Sequence, residues 1–205
     1  MFGGAVALLA LVAYLATAAP NVRSLRQFDP DRMADLDLRM WQAYYAKERV
    51  RLFTLLVTML REQYHYSWAT ATVEGFYLAR AAATFGDATS DYDRVLPDLT
   101  EGYRTAKDWL GAGFDPEAVA KAELSWWAAR RTPGKSSPAQ VGERMADAYA
   151  LLYEAPRAKL TTAATLRADA AAIRDAQAAN PDWPAIRVLL ERSYRELHEA
   201  LSEVN

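Results

Sequence analysis

The sequence predicts an all-α protein: an apolar N-terminal helix followed by a compact bundle of about seven to eight further helices. Three observations lead there. Alternating apolar–polar runs of strand type are absent from residues 21–205. Helix-start punctuation recurs, with Asp29-Pro30, Asp115-Pro116, Ser137-Pro138 and Asn180-Pro181 each setting a capping side chain before a proline. The composition, 52% apolar and 24% charged over 205 residues, supports a hydrophobic core and excludes disorder of the whole chain.

The first element is the uncharged run Phe2–Ala19, closed by Pro20. As a helix it would reach ~27 Å, just short of a hydrocarbon core of ~30 Å. A membrane anchor over residues 1–20, with membrane lipid as partner of residues 2–19, is the favoured reading. A cleaved secretory signal ending near Ala16-Thr17-Ala18 is the second, although no Lys or Arg precedes the run. A buried core helix is the third. Arg23 and Arg26 follow the segment, so the positive-inside rule places residues 21–205 on the cytoplasmic side of a bacterial inner membrane, with the periplasm as the alternative.

Helices are then expected over residues 30–46, 48–66, 68–85, 91–111, 116–131, 138–154, 157–179 and 182–203. Gly86, Gly113 and Gly134 stand where C-terminal caps are expected, and Pro97 should kink the fourth of these helices or mark its true start. In the last helix Leu190, Tyr194, Leu197, Leu201 and Val204 form one apolar stripe. Met33, Leu36, Met40 and Tyr44 do the same in 30–46. Residues 48–66 are apolar around most of the circumference, which predicts a helix at the centre of the bundle. Residues 21–205 read as a single domain, with a sub-boundary at the linker-like stretch 132–138.

The absence of cysteine excludes disulfides, thiolate metal sites and cysteine nucleophiles. A formal net charge of -2 gives no pull toward nucleic acid. Gly134-Lys135-Ser136 resembles the tail of a phosphate-binding loop, but Ala129 stands where its first glycine belongs and no strand precedes it. Gly111-Ala112-Gly113 reads as a helix end rather than a dinucleotide fingerprint.

Glu62 and His65 are the candidate metal ligands. Three residues apart on one helix, they would share a face, as half of a di-iron ligand set does. Glu48, Glu74, Glu123 and Glu154 are further helical carboxylates. The other histidine, His198, follows Arg195 rather than an acid, so the second half of such a set is missing, and ion pairing on a charged face explains it. The competing reading makes His65 an ordinary core or surface histidine.

Arg39, Arg51, Arg61, Glu62, Glu74 and Arg80 fall in the most apolar third of the domain, where lone charges are costly. An internal salt-bridge network is favoured over an Arg-lined pocket for an anion. Trp41, Tyr44 and Tyr45, with Trp126 and Trp127, are core or interface aromatics. Trp126 and Trp127 are adjacent, so one of them is expected to meet a partner or a second helix layer.

The block from Phe28 to Gln63, with its pattern MWxxYY…RLFxLLVxMLREQ, resembles a segment of uncharacterised bacterial proteins of similar length and layout. The likeness covers about a sixth of the chain, and it implies a membrane-associated helical protein without bringing any activity or residue role. The expected function is a membrane-anchored interaction or accessory subunit of a larger bacterial membrane complex, with protein partners, no cofactor and no catalysis of its own. The rival is a carboxylate-rich bundle binding a metal or a small anionic ligand.

Overall fold

The computed structural model describes residues 2–18 and 23–203. Among them are nine α-helices and no strand: α1 (Phe2–Thr17), α2 (Pro30–Tyr45), α3 (Arg49–Glu62), α4 (Trp68–Asp87), α5 (Leu96–Leu110), α6 (Pro116–Arg130), α7 (Pro138–Leu152), α8 (Arg157–Ala176) and α9 (Trp183–Ser202). Ala19 and Pro20, which end the apolar run, and Val204 of the last stripe lie outside the described residues.

Three of the four capping signals act as expected; the fourth, Asn180-Pro181, does not, because Asp182 caps α9 and the helix starts at Trp183. The Asp29 carboxylate accepts from the Asp31 and Arg32 backbone N–H groups at 3.0 and 3.1 Å, with Pro30 opening α2. Ser137 and Asp115 cap α7 and α6 in the same way. A 3-10 turn over Tyr92–Val95 leads into α5, so Pro97 marks the true start of that helix. Its C-cap is Gly111, left-handed at φ 65, rather than Gly113. Helix α4 runs past Gly86 to Asp87.

One boundary changes an expectation. Helix α3 ends at Glu62, not at residue 66. His65 turns left-handed at φ 56, and the Tyr66 N–H donates back to the Leu60 carbonyl at 3.1 Å. The turn buries Tyr64 and Tyr66 together, which a continued helix would point in different directions, and Ser67 then caps α4.

Short connections make sequence neighbours antiparallel, and each helix from α2 to α9 packs on the next. Helix α9 then packs on α2, so the eight helices close into a ring. One apolar cluster draws on every helix of the ring, with Leu38, Leu60, Leu99, Met145, Leu160 and Leu190 among its most buried side chains. A smaller cluster around Leu36, Met40 and Leu52 joins α2 to α3. Burying each such side chain stabilises the fold by ~1.5–3 kcal/mol. Helix α3 is a wall of this ring and not its centre: Leu52, Leu55, Leu56, Val57 and Leu60 face inward while Val50 is 80% exposed. The centre is a cavity.

Helix α1 stands outside the ring and touches only α4. Its described side chains from Ala5 to Tyr14 are exposed, Leu9 to 70%. Sixteen residues reach about 24 Å. Among the described residues no helix is long and apolar enough to cross a membrane.

Candidate ligand-binding cavity

All eight ring helices contribute to a cavity of about 440 Å³. Each presents one face inward, so the lining is assembled from residues far apart in the chain. The volume lies within the range that holds a drug-sized ligand. Aliphatic wall comes from Leu52, Leu56 and Met59 of α3, Leu78 of α4 and Leu99 of α5. Aromatic wall comes from Trp41, Tyr64, Tyr103, Trp126, Trp127 and Tyr149.

Charged groups are placed with more order than the apolar ones. Arg167 of α8 is buried between Trp41 and Trp126, its guanidinium 5.7 and 5.4 Å from their ring centroids. It donates to both oxygens of Asp37, at 2.9 and 3.2 Å, and the Tyr194 hydroxyl donates to the same carboxylate at 3.0 Å. That pair is internally neutralised. Glu123 accepts from the indole N–H of Trp126 at 3.0 Å and of Trp127 at 2.9 Å. Burial raises its pKa, opposed by the Trp126 hydrogen bond and the nearby Arg167 charge.

At another part of the lining three arginines gather around Tyr44 and Tyr45. Arg130 grips Asp175 with two hydrogen bonds, 3.0 and 2.8 Å, and donates to the Tyr45 hydroxyl at 2.6 Å. Arg131 donates to the Phe85 and Ala88 carbonyls at the end of α4, at 2.7 and 3.0 Å, and to the Tyr44 hydroxyl at 3.0 Å. Arg174 lies over Tyr45, its guanidinium carbon 3.3 Å from the ring centroid. Burial raises the pKa of Tyr44, while Arg131, Arg130 and Arg174 all pull it down, so the three charges converge on one hydroxyl. A smaller adjoining hollow shares Tyr44, Tyr45, Leu52 and Arg131 and adds Lys47, Arg49 and Asp87.

The residues singled out from sequence fall elsewhere. Glu62, the last residue of α3, pairs with Arg32 at 2.8 Å, and His65 lies beyond the helix end, so the two do not share a helical face. Among the described residues no group of three or more His, Asp or Glu side chains could hold a metal ion. Arg39 pairs with Asp35, Arg51 with Glu48 and Arg80 with Asp98, while Arg61 stacks on Trp68. The Arg39 and Arg51 pairs lie on the surface, and Arg80 and Asp98 border a shallow hollow away from the central cavity. Arg61 also donates to the Tyr66 carbonyl, so the set forms neither one internal network nor one arginine-lined pocket. Glu154 accepts from the Gly113 N–H at 3.3 Å in a loop contact. His198 packs edge-on against Phe28 and makes no ion pair among the described residues; the ion pair nearby is Arg195 with Asp31. Trp126 and Trp127 both face the cavity, because Glu123 one turn earlier binds both indoles.

Glu74 alone of that set is buried without a charge partner, 4% exposed. Its Oε2 has no hydrogen-bond partner among the described residues, and burial pushes its pKa up to about 8, with Tyr66 opposing.

The arginine cluster was not among the sequence candidates. A signal for it existed: Trp126 and Arg130, like Trp127 and Arg131, are four apart, and Arg167 and Arg174 are seven apart on the alanine-rich face of α8. Arginines repeating within an apolar stripe point inward.

The fold and cavity together define an all-α ring with a central site that opens to the surface on one side. Comparison with protein-family models, curated proteins and solved structures finds no match to this chain.

Proposed function

We propose that this chain is a membrane-attached helical receptor whose ring encloses a small organic ligand. The observation that carries the reading is the central cavity, about 440 Å³ and lined by all eight ring helices. A bundle needing only stability would close such a space, since each unfilled volume costs packing energy. Aliphatic and aromatic walls suit a largely apolar ligand, and a few fixed polar groups would orient it. Helix α1, uncharged and exposed along its described length, supports attachment to a bacterial membrane, with the ring on the cytoplasmic side as Arg23 and Arg26 suggest.

The test uses the full chain purified in mild detergent. Native mass spectrometry should find a small molecule released on denaturation, and its removal should lower the melting temperature and alter the fluorescence of Trp41, Trp126 and Trp127. A chain that carries no ligand, and that none of a broad panel of small amphiphiles stabilises, would refute the receptor reading.

A second reading is favoured by the same exposed helix. Leu8, Leu9 and Tyr14 of α1 are more than half exposed, as a surface shared with a larger membrane complex would require. Here the chain is an accessory subunit. Crosslinking in native membranes, followed by a pull-down, separates the two: a stoichiometric integral partner supports the subunit, and recovery of the chain alone speaks against it.

A further inference from the structure

The cavity's charge is uneven, and the unevenness has chemical meaning. Around Tyr44 and Tyr45 three guanidinium groups face a single carboxylate, Asp175, whose two oxygens are already taken by Arg130. Arg131 has no carboxylate within ion-pair distance among the described residues; its donors go to two backbone carbonyls and a phenol. Arg174 makes no hydrogen bond among them, and its one ionic contact is Asp175 at 3.7 Å. Its Nε is buried and unpartnered, although the side chain is only 15% exposed. A guanidinium that is largely buried and only weakly paired, as Arg174 is, is costly unless an anion meets it, and the exposed Arg131 adds a charge beside it that is unpaired among the described residues. Contact with the Tyr45 ring holds the Arg174 guanidinium in place, and its N–H groups, unbonded among the described residues, are free to meet an oxyanion.

The other lining carboxylates do not meet that demand. Asp37 is saturated by Arg167 and Tyr194, and Glu123 by the two indoles. The aliphatic lining from α3, α4 and α5 offers a path for a chain, and the electrostatic asymmetry sets its direction.

We infer that the cavity takes a single-chain amphiphilic anion, its oxyanion head held by Arg174 and Arg131 beside Arg130, its alkyl or aryl body along Leu52, Leu56 and Leu99. The inference rests on the receptor reading of the cavity and adds to it the charge and orientation of the ligand. A cationic head is disfavoured there, because Arg174 already lies over Tyr45 and Arg130 and Arg131 repel a further positive charge.

The experiment titrates the full chain in lipid nanodiscs with octanoate, octyl phosphate, octanol and octylammonium, using empty discs as the baseline. At least one of the two anions should bind about 10- to 100-fold more tightly than octanol, with octylammonium weakest. The two anions also tell a carboxylate head from a phosphate head. Arg174→Gln should remove that advantage while leaving octanol binding unchanged. Arg131→Gln, at an exposed side chain, should act in the same direction and covers the case in which Arg174→Gln fails to fold. Octanol binding as well as both anions, or anion affinity unaffected in a folded Arg174→Gln variant, would overturn the inference and leave the cavity reading standing. If none of the four probes binds above empty discs, both fall.

Discussion

Arg167 on α8 grips Asp37 on α2 through Nε to Oδ2 at 2.9 Å and Nη2 to Oδ1 at 3.2 Å, across 130 residues of sequence. Asp37 is 3% exposed, and the Tyr194 hydroxyl of α9 donates to the same carboxylate. Removing one member of a buried pair leaves the other charge stranded, which costs about 3–5 kcal/mol. Asp37→Ala should therefore lower the unfolding free energy by that amount in a urea titration. The double variant Asp37→Leu with Arg167→Met, which strands neither charge, should cost less than Asp37→Ala alone.

Glu74 makes stability depend on pH in an unusual direction. Burial raises its pKa from 4.5 to about 8, so the folded chain holds a proton that the unfolded chain releases above the lower value. The contribution is fully present below about 4.5 and is lost as pH rises toward about 8, on the order of 4–5 kcal/mol over the window. Glu74→Gln, neutral at every pH, should flatten this part of the profile and be the more stable protein at pH 8. Thermal melts between pH 5 and pH 8 measure it; parallel profiles for the two proteins would contradict the assignment.

Helices α7 and α8 approach most closely at Gly142. A Cβ there would lie 3.1 Å from the Thr165 Cα and 3.2 Å from its Oγ1, and the first of these is backbone that cannot rotate away. Gly142→Ala should cost about 1–3 kcal/mol by overpacking, read from denaturant midpoints. At Gly102 the nearest atom is the flexible Leu78 side chain, so the same substitution should be milder.

Among the described residues, helix α1 lends none to the ring's core and touches only α4. Deleting residues 1–22 should shift the unfolding free energy by less than about 0.5 kcal/mol, as surface changes do. Fractionation of cells expressing both forms should show the deletion variant leaving the membrane pellet. A large loss of stability would mean that α1 is part of the folding unit.

Much of the fold was legible because helix ends are written locally. Asp29-Pro30, Asp115-Pro116 and Ser137-Pro138 each carry a cap and a starter within two residues, and the structure uses all three. The end of α3 was not legible, because the turn at His65 is set by where Tyr64 and Tyr66 find burial. Ring closure was invisible for a similar reason: nothing in α2 or α9 alone says that Asp37 and Tyr194 will meet. The charges near the apolar α3 mostly pair at the surface, with Glu74 the buried exception, and none of them marks the cavity's arginines. Arg130 and Arg131 stand at the end of α6 and Arg174 lies on α8, far apart in the chain, and only the packing of α6, α8 and α2 brings them together.

Ring closure also bears on how the chain acquires its structure in time. Seven of the eight interfaces around the ring join helices adjacent in sequence, whose loops are short and whose closure entropy is small. The eighth, α2 with α9, is stitched by side chains alone: Asp31 with Arg195, Asp35 with Arg187, and Phe28 against Tyr194 and His198. Closing it requires the whole chain between, so it should be the late and slow event of folding, after helicity has formed. The same seam carries two exposed ion pairs, so rising ionic strength should speed unfolding more than it slows the early helical phase. A ring joined this way opens at one place, and that place is where the first and last of its helices meet.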